Sequence, residues 1–237
     1  MDRRTLLKTS LATGALSALP ARVFAQPAAG SVRDRKLFAI AKEQLDKAGE
    51  VIWKKDIVGI ADFGLRSDLP RFHFVNLDRQ EVQSYLVSHG TGSDPEHDGW
   101  LNSYSNEEGS NATSRGAYVT WEWYKGRYGT SIRLGGLDAT NSNTLRRYIV
   151  MHRAAYAEPE HIARWGRLGR SNGCFAMGEE QFRTALLTLS GGRLLYAESL
   201  GLAEDGSKVV SHDPAPDLEL LMAENATGQE RFNPGVY

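Results

Sequence analysis

Hydrophobic positions follow two rhythms along the chain. Between residues 34 and 48, Leu37, Ile40, Ala41, Leu45 and Ala48 recur at i, i+3, i+4, i+8 and i+11, which predicts one amphipathic helix. After Gly49 the texture changes to short runs rich in Val, Ile, Tyr, Phe and Trp, bounded by Gly, Asn and Asp, as strands and turns require. Strands are predicted at residues 57–63, 71–77, 83–89, 117–124, 131–134, 148–152 and 194–198, with Asp78, Arg79 and Gln80 turning the second into the third. In the fourth, Ala117, Val119, Trp121 and Trp123 share one face and Tyr118, Thr120, Glu122 and Tyr124 the other, so both tryptophans are expected in the core. A second helix is predicted over 179–189, with Phe182, Leu186 and Leu189 on one stripe and Gly191-Gly192 stopping it. The fold class is therefore mainly β, an α+β arrangement whose sheet is covered on two faces.

The ends read differently. Arg3 and Arg4 precede an apolar run from Leu11 to Leu19, and Val23 and Ala25 offer small residues at a cleavage site, so residues 1–25 are expected to be a signal peptide of twin-arginine-like form. The run is far shorter than the roughly 20 residues of a membrane span, so no stable span is expected. Residues 26–50 read as an Ala/Pro/Gly linker and the first helix, 51–200 as one domain, and 201–237 as an extension whose role is not readable, with a possible helix at 217–225. The stretch 90–116, dense in Gly, Ser, Asn and Asp, is expected to be a long loop that is functional or mobile.

Lysine plus arginine number 28 against 29 aspartate plus glutamate, so no charge surplus points to nucleic acid. His89, His97, His152 and His161 show none of the short paired spacing of metal sites, and no metal or cofactor is expected. A single cysteine, Cys174, cannot form an internal disulfide; in an exported protein it is either buried and inert or a thiol kept for chemistry.

Ser171-Asn172-Gly173-Cys174 follows a Gly/Arg-rich loop, 166–170, and precedes Phe175-Ala176-Met177. Gly173 lets backbone approach a reacting carbonyl, and consecutive amides there could converge on an oxyanion. His152 ends an apolar strand and is the candidate base, with the Arg153 carbonyl a candidate to fix its tautomer. Such surroundings are expected to lower the thiol pKa. Ser114 and Tyr118 could assist near the site but are read as surface hydrogen-bonding residues, and Trp165, set in a polar loop, is the candidate for substrate contact or lid packing.

His152, the run Gly169-Arg170-Ser171-Asn172-Gly173-Cys174, the following helix and the strand at 194–198 together resemble the catalytic domain of the murein L,D-transpeptidases, the YkuD-like family. The likeness covers roughly residues 57–200 and is to a divergent branch, since the common motif has histidine where this chain has Asn172 and arginine or asparagine where it has Ala176. The resemblance implies a YkuD-like β-sandwich or barrel. In it Cys174 attacks a peptidoglycan stem peptide and passes the acyl group through a thioester to an amine of a neighbouring stem, to a protein attached to the wall, or to water. The non-enzymatic alternative is a peptidoglycan-binding module that kept the fold and lost turnover, prompted by Asn172 and Ala176. It implies Cys174 as nucleophile, His152 as base, Arg153 as the orienting carbonyl, and the Gly173 and Cys174 amides as oxyanion hole. Asn172, Ser171, Arg170 and Arg167 become candidates for substrate contact, the arginines because guanidinium forks suit carboxylates. Reactivity toward carbapenems, a monomeric state, and a periplasmic or cell-wall location complete the expectation.

Overall fold

The computed structural model describes residues 30–126 and 129–209; the expected signal segment and the possible helix at 217–225 lie outside the described residues. In chain order these form α1 (Val32–Ala48), β1 (Ile57–Asp62), β2 (Phe72–Asn76), β3 (Glu81–Tyr85), β4 (Gly116–Gly126), β5 (Gly129–Gly136), β6 (Val150–Arg153), α2 (Pro159–Trp165), β7 (Phe175–Met177), α3 (Glu179–Thr188) and β8 (Leu194–Glu198). The strands make one half-barrel sheet in the order β3-β2-β1-β8-β4-β5-β6-β7. Pairs β1–β8 and β6–β7 are parallel, and the others antiparallel.

Each face of the sheet has its own core. Ser31 caps α1 by accepting the Asp34 amide at 3.0 Å, which starts the helix two residues before the apolar stripe requires it. Leu37, Ala41 and Leu45 of α1 then pack on Val58, Ile60, Val75, Ala117 and Val119. The alternate positions face the other way, where Ala61, Phe72, Tyr118, Phe175 and Met177 pack with Phe182, Ala185 and Leu189 at and beyond α3. Truncating fully buried Leu37 to alanine would cost about 2–5 kcal/mol. Among the described residues no helix is long and apolar enough to cross a membrane.

Several expectations are corrected. The third strand ends at Tyr85 because the chain then changes partner: Ser88 pairs with Ala176 and Gly90 with Ser171, carrying residues beyond β3 across to the opposite edge of the sheet. That crossing curls the sheet and binds residues 88–91 to the cysteine loop. Alternation in β4 breaks at a bulge between Thr120 and Trp123, where the Gly191 and Gly192 amides bond the carbonyls of Trp121 and Thr120. Trp121 is consequently half-buried and Trp123 is 59% exposed, not core. The 90–116 stretch is no loose cover, for Ser93, Asp94, Leu101, Thr113 and Ser114 in it are buried. Nor are Ser114 and Tyr118 on the surface: the buried phenol donates to the Ser114 carbonyl at 2.6 Å. Trp165 closes a helix, α2, not a loop.

Candidate active site

Strand register brings the cysteine and histidine together. In the parallel β6–β7 pair, Met151 lies opposite Phe175 and His152 opposite Ala176, with Met151 and Phe175 buried in the core. Cys174, one residue before Phe175, therefore shares the outward face with His152 on the neighbouring strand. Both line a cleft of about 360 Å³ together with Arg153, Ala154, Ala155, Tyr156, Arg170, Ser171 and Asn172. Cys174 is half-buried, with most of its surroundings protein and one side open to that cleft.

His152 is held in one tautomer. Its Nδ1 lies 2.9 Å from the Arg153 carbonyl oxygen, which can only accept, so Nδ1 carries the hydrogen and the lone pair is on Nε2. Burial keeps the imidazole below its ordinary pKa, against that hydrogen bond, which raises it. Burial also pushes the Cys174 thiol up, opposed by the Val150 backbone and the Arg147 guanidinium. The expected lowering of the thiol is thus corrected: burial in the half-closed cleft disfavours the charged forms of both Cys174 and His152.

The cysteine loop is locked from within and from below. Ser171 donates its hydroxyl to the Cys174 carbonyl at 2.7 Å and accepts the Gly173 amide at 3.1 Å. Its backbone is bracketed by residues 88–91, with the Ser171 amide on the His89 carbonyl at 2.9 Å and the Thr91 amide on the Ser171 carbonyl at 2.8 Å. Gly173 has φ +106, and a Cβ there would meet the Ala112 carbonyl oxygen at 2.6 Å. The Gly173 amide, expected as half of an oxyanion hole, is instead engaged by Ser171 Oγ, whereas among the described residues no hydrogen bond is made by the Asn172 or Cys174 amide.

Under that bracket lies a buried network that sequence reasoning missed. Arg71, fully buried, donates to the Val87 and Leu65 carbonyls and to His89 Nδ1 at 2.8 Å, and His89 Nε2 reaches Asp94 Oδ2 at 3.2 Å. The arginine donor makes Nδ1 the acceptor, so neutral His89 links a buried cation to a buried carboxylate. His97 and His161 fasten the 167–168 segment, bonding the Leu168 carbonyl at 3.0 Å and the Arg167 carbonyl at 2.8 Å.

The candidate substrate residues divide. Asn172 is exposed on the cleft rim, and Arg170 lines the cleft while its guanidinium holds the Asp94 and Pro95 carbonyls. The Arg153 side chain pairs with Glu179. Arg167 is not among the residues lining the cleft; it donates to the Trp165 carbonyl at 3.3 Å. Trp165 is 52% exposed, with the Arg164 guanidinium 5.0 Å from its ring centroid.

A thiol and a tautomer-fixed imidazole thus line one cleft of a curled, mainly β scaffold. The chain belongs to the L,D-transpeptidase catalytic domain family, whose model matches residues 31–197, α1 included. No curated protein sequence matches the chain. Among solved structures it is similar to an L,D-transpeptidase from Mycobacterium smegmatis (13% identity, 60% of this chain and 58% of that one, TM-score 0.36). It is also similar to L,D-transpeptidase 1 from Mycobacterium tuberculosis (12%, 60% and 61%, 0.33). A third is the helical cell shape determining protein from Campylobacter jejuni (11%, 67% and 55%, 0.39). The chain spans about three fifths of the length of these structures.

Proposed function

We propose that the protein is a cysteine L,D-transpeptidase that cross-links or remodels peptidoglycan stem peptides. The observation that carries this reading is the placement of Cys174 and His152 on one outward face of β6–β7, with Nδ1 bound to the Arg153 carbonyl and Nε2 left as base. A mechanism follows from the protonation states. His152 Nε2 takes the thiol proton as sulfur attacks the carbonyl on the L-centre of the donor stem, and the Asn172 and Cys174 amides are the loop donors for the oxyanion. The tetrahedral species collapses, the His152 proton passes to the departing amine of the terminal D-alanine, and a thioester remains on Cys174. An acceptor amine then attacks the thioester, gives its proton to His152, and releases the thiol with a new amide bond. Water in place of the amine makes the same site an L,D-carboxypeptidase.

In this reading Ser171, bonded within the loop, holds the nucleophile, and Arg170 and Asn172, which line the cleft, are the candidates to contact a stem carboxylate or amide. In this reading residues 1–25 direct export, 51–200 carry the chemistry, and the protein works as a monomer on the periplasmic or cell-wall side. The test is purified protein incubated with stem tetrapeptide, with and without an amine acceptor, read by product mass. Cross-linked product that needs Cys174 supports transpeptidation. Tripeptide alone, whatever acceptor is added, assigns the carboxypeptidase; no product from the parent protein would leave a binding module.

A further inference from the structure

Directly before β6, the chain makes a tight turn in which the Arg147 amide bonds the Asn143 carbonyl, Tyr148 that of Leu145, and Ile149 that of Thr144. Tyr148 takes φ +54 to close it, a conformation that costs a bulky residue about 1–2 kcal/mol. The turn aims two groups at the cysteine loop. The Tyr148 carbonyl comes within 3.7 Å of Cys174 Sγ, and the Arg147 guanidinium passes beneath Gly173, where Nη2 would lie 3.2 Å from a Cβ.

The surroundings of Arg147 are unusual for a half-buried cation. Nη1 donates to the Ser105 carbonyl at 2.6 Å and to Ser114 Oγ at 3.4 Å; Nη2 donates to Ser110 Oγ at 3.1 Å and to the Ala112 carbonyl. All four acceptors are neutral, and among the described residues no carboxylate lies within ion-pair distance. The fork thus cross-links residues 105–114 behind the cysteine loop, while its charge has no carboxylate partner among the described residues.

We infer that Arg147 is a positioning residue for the proposed acyl transfer: it braces the Gly173–Cys174 backbone through residues 105–114 and supplies the cation that steadies the Cys174 thiolate as it forms. The inference rests on Cys174 being the nucleophile. The thiol also meets the Val150 backbone and the Tyr148 carbonyl. Of the cleft residues, His152 comes from β6, Arg153 and Arg170 are engaged by Glu179 and by two carbonyls, and Tyr156 lines the same cleft. The buried Tyr118 phenol lies on the other side of Arg147, its hydroxyl on Ser114. Arg147 and Cys174 each favour the other's charged form.

Because the chain has one cysteine, iodoacetamide alkylation followed by intact mass reports on Cys174 alone. The pH dependence of the alkylation rate gives the thiol pKa of the parent, Arg147→Gln and Arg147→Lys, with urea midpoints recording folding. Removing a cation that favours a thiolate raises the thiol pKa by about one unit, so Arg147→Gln is expected to alkylate about tenfold more slowly at pH 7, while Arg147→Lys keeps a profile near the parent's. A folded Arg147→Gln with the parent's profile would overturn the inference, as would a lysine variant shifted by a full unit. If the glutamine variant does not fold, the lysine variant alone decides on the same criterion. Alkylation needs no substrate: a parent that makes no thioester yet shows the Arg147 effect would refute the transpeptidase reading, and with it the role in acyl transfer, and leave only the charge coupling of Arg147 to Cys174 standing.

Discussion

Replacing Gly173 by alanine tests whether the cysteine loop works by its shape. The backbone there has φ +106, outside the regions that L side chains favour, and holding alanine in it costs about 1–3 kcal/mol. The added methyl would also meet the Ala112 carbonyl oxygen at 2.6 Å and Ile149 Cδ1 at 2.8 Å, and relieving such overlap costs about 1–3 kcal/mol more. Ile149 Cδ1 ends a side chain, but the Ala112 carbonyl is backbone held by Arg147, so the loop and not its support must shift. The variant is expected to lose about 2–6 kcal/mol, or to move the loop and lose about 10²- to 10³-fold in acylation as an oxyanion donor leaves its place. Urea denaturation and the rate of thioester formation on stem tetrapeptide read the two effects. An alanine variant with the parent's stability and the parent's acylation rate would refute the reasoning.

Two pH dependences follow. Burial holds His73 at about 3 and His89 at about 4, against 6.5 in the unfolded chain. A lowered histidine pKa means the fold binds fewer protons, so this stability is complete above pH 6.5 and is lost as pH falls toward 4, by roughly 2.7 kcal/mol per unit for the two histidines together. Urea midpoints at pH 7, 5.5 and 4.5 check it, and equal midpoints would contradict it. Acylation, in turn, needs neutral His152, whose pKa lies below 6.5, and a thiol that stays protonated through neutrality. Its rate is expected to rise on a limb below pH 6.5 and to be level from 7 to 8; a main rise near pH 8–9 would mean that preformed thiolate reacts and His152 is not the base.

The elements with a long, regular pattern were legible in the sequence: α1 and α3 from their apolar stripes, and β1, β2, β5 and β8 from short runs of aliphatic and aromatic residues. What escaped is set by tertiary pairing. β7 is three residues long, too short to show a period, and α2 buries none of its residues, so no stripe marks it. The extended stretch at 83–89 was recognised, but nothing local says that the chain changes edges after Tyr85. Trp123 fits the alternation of β4 until Thr120, where contacts from the distant Gly191-Gly192 impose a bulge. At the site, Cys174, His152 and the Arg153 carbonyl could be named from motif and strand end, whereas Arg71, His89 and Asp94 meet only through the curl of the sheet. Arg147 looked like any arginine in a polar stretch. Its role depends on residues 105–114 folding back over it.

The most direct test of the account is the intact mass of the purified protein after incubation with a carbapenem, an acylating agent to which the family resemblance implies reactivity, beside the Cys174→Ala variant. One adduct is expected on the parent and none on the variant. An adduct that persists in Cys174→Ala, or a folded parent that takes none, would contradict Cys174 as the activated nucleophile of this site.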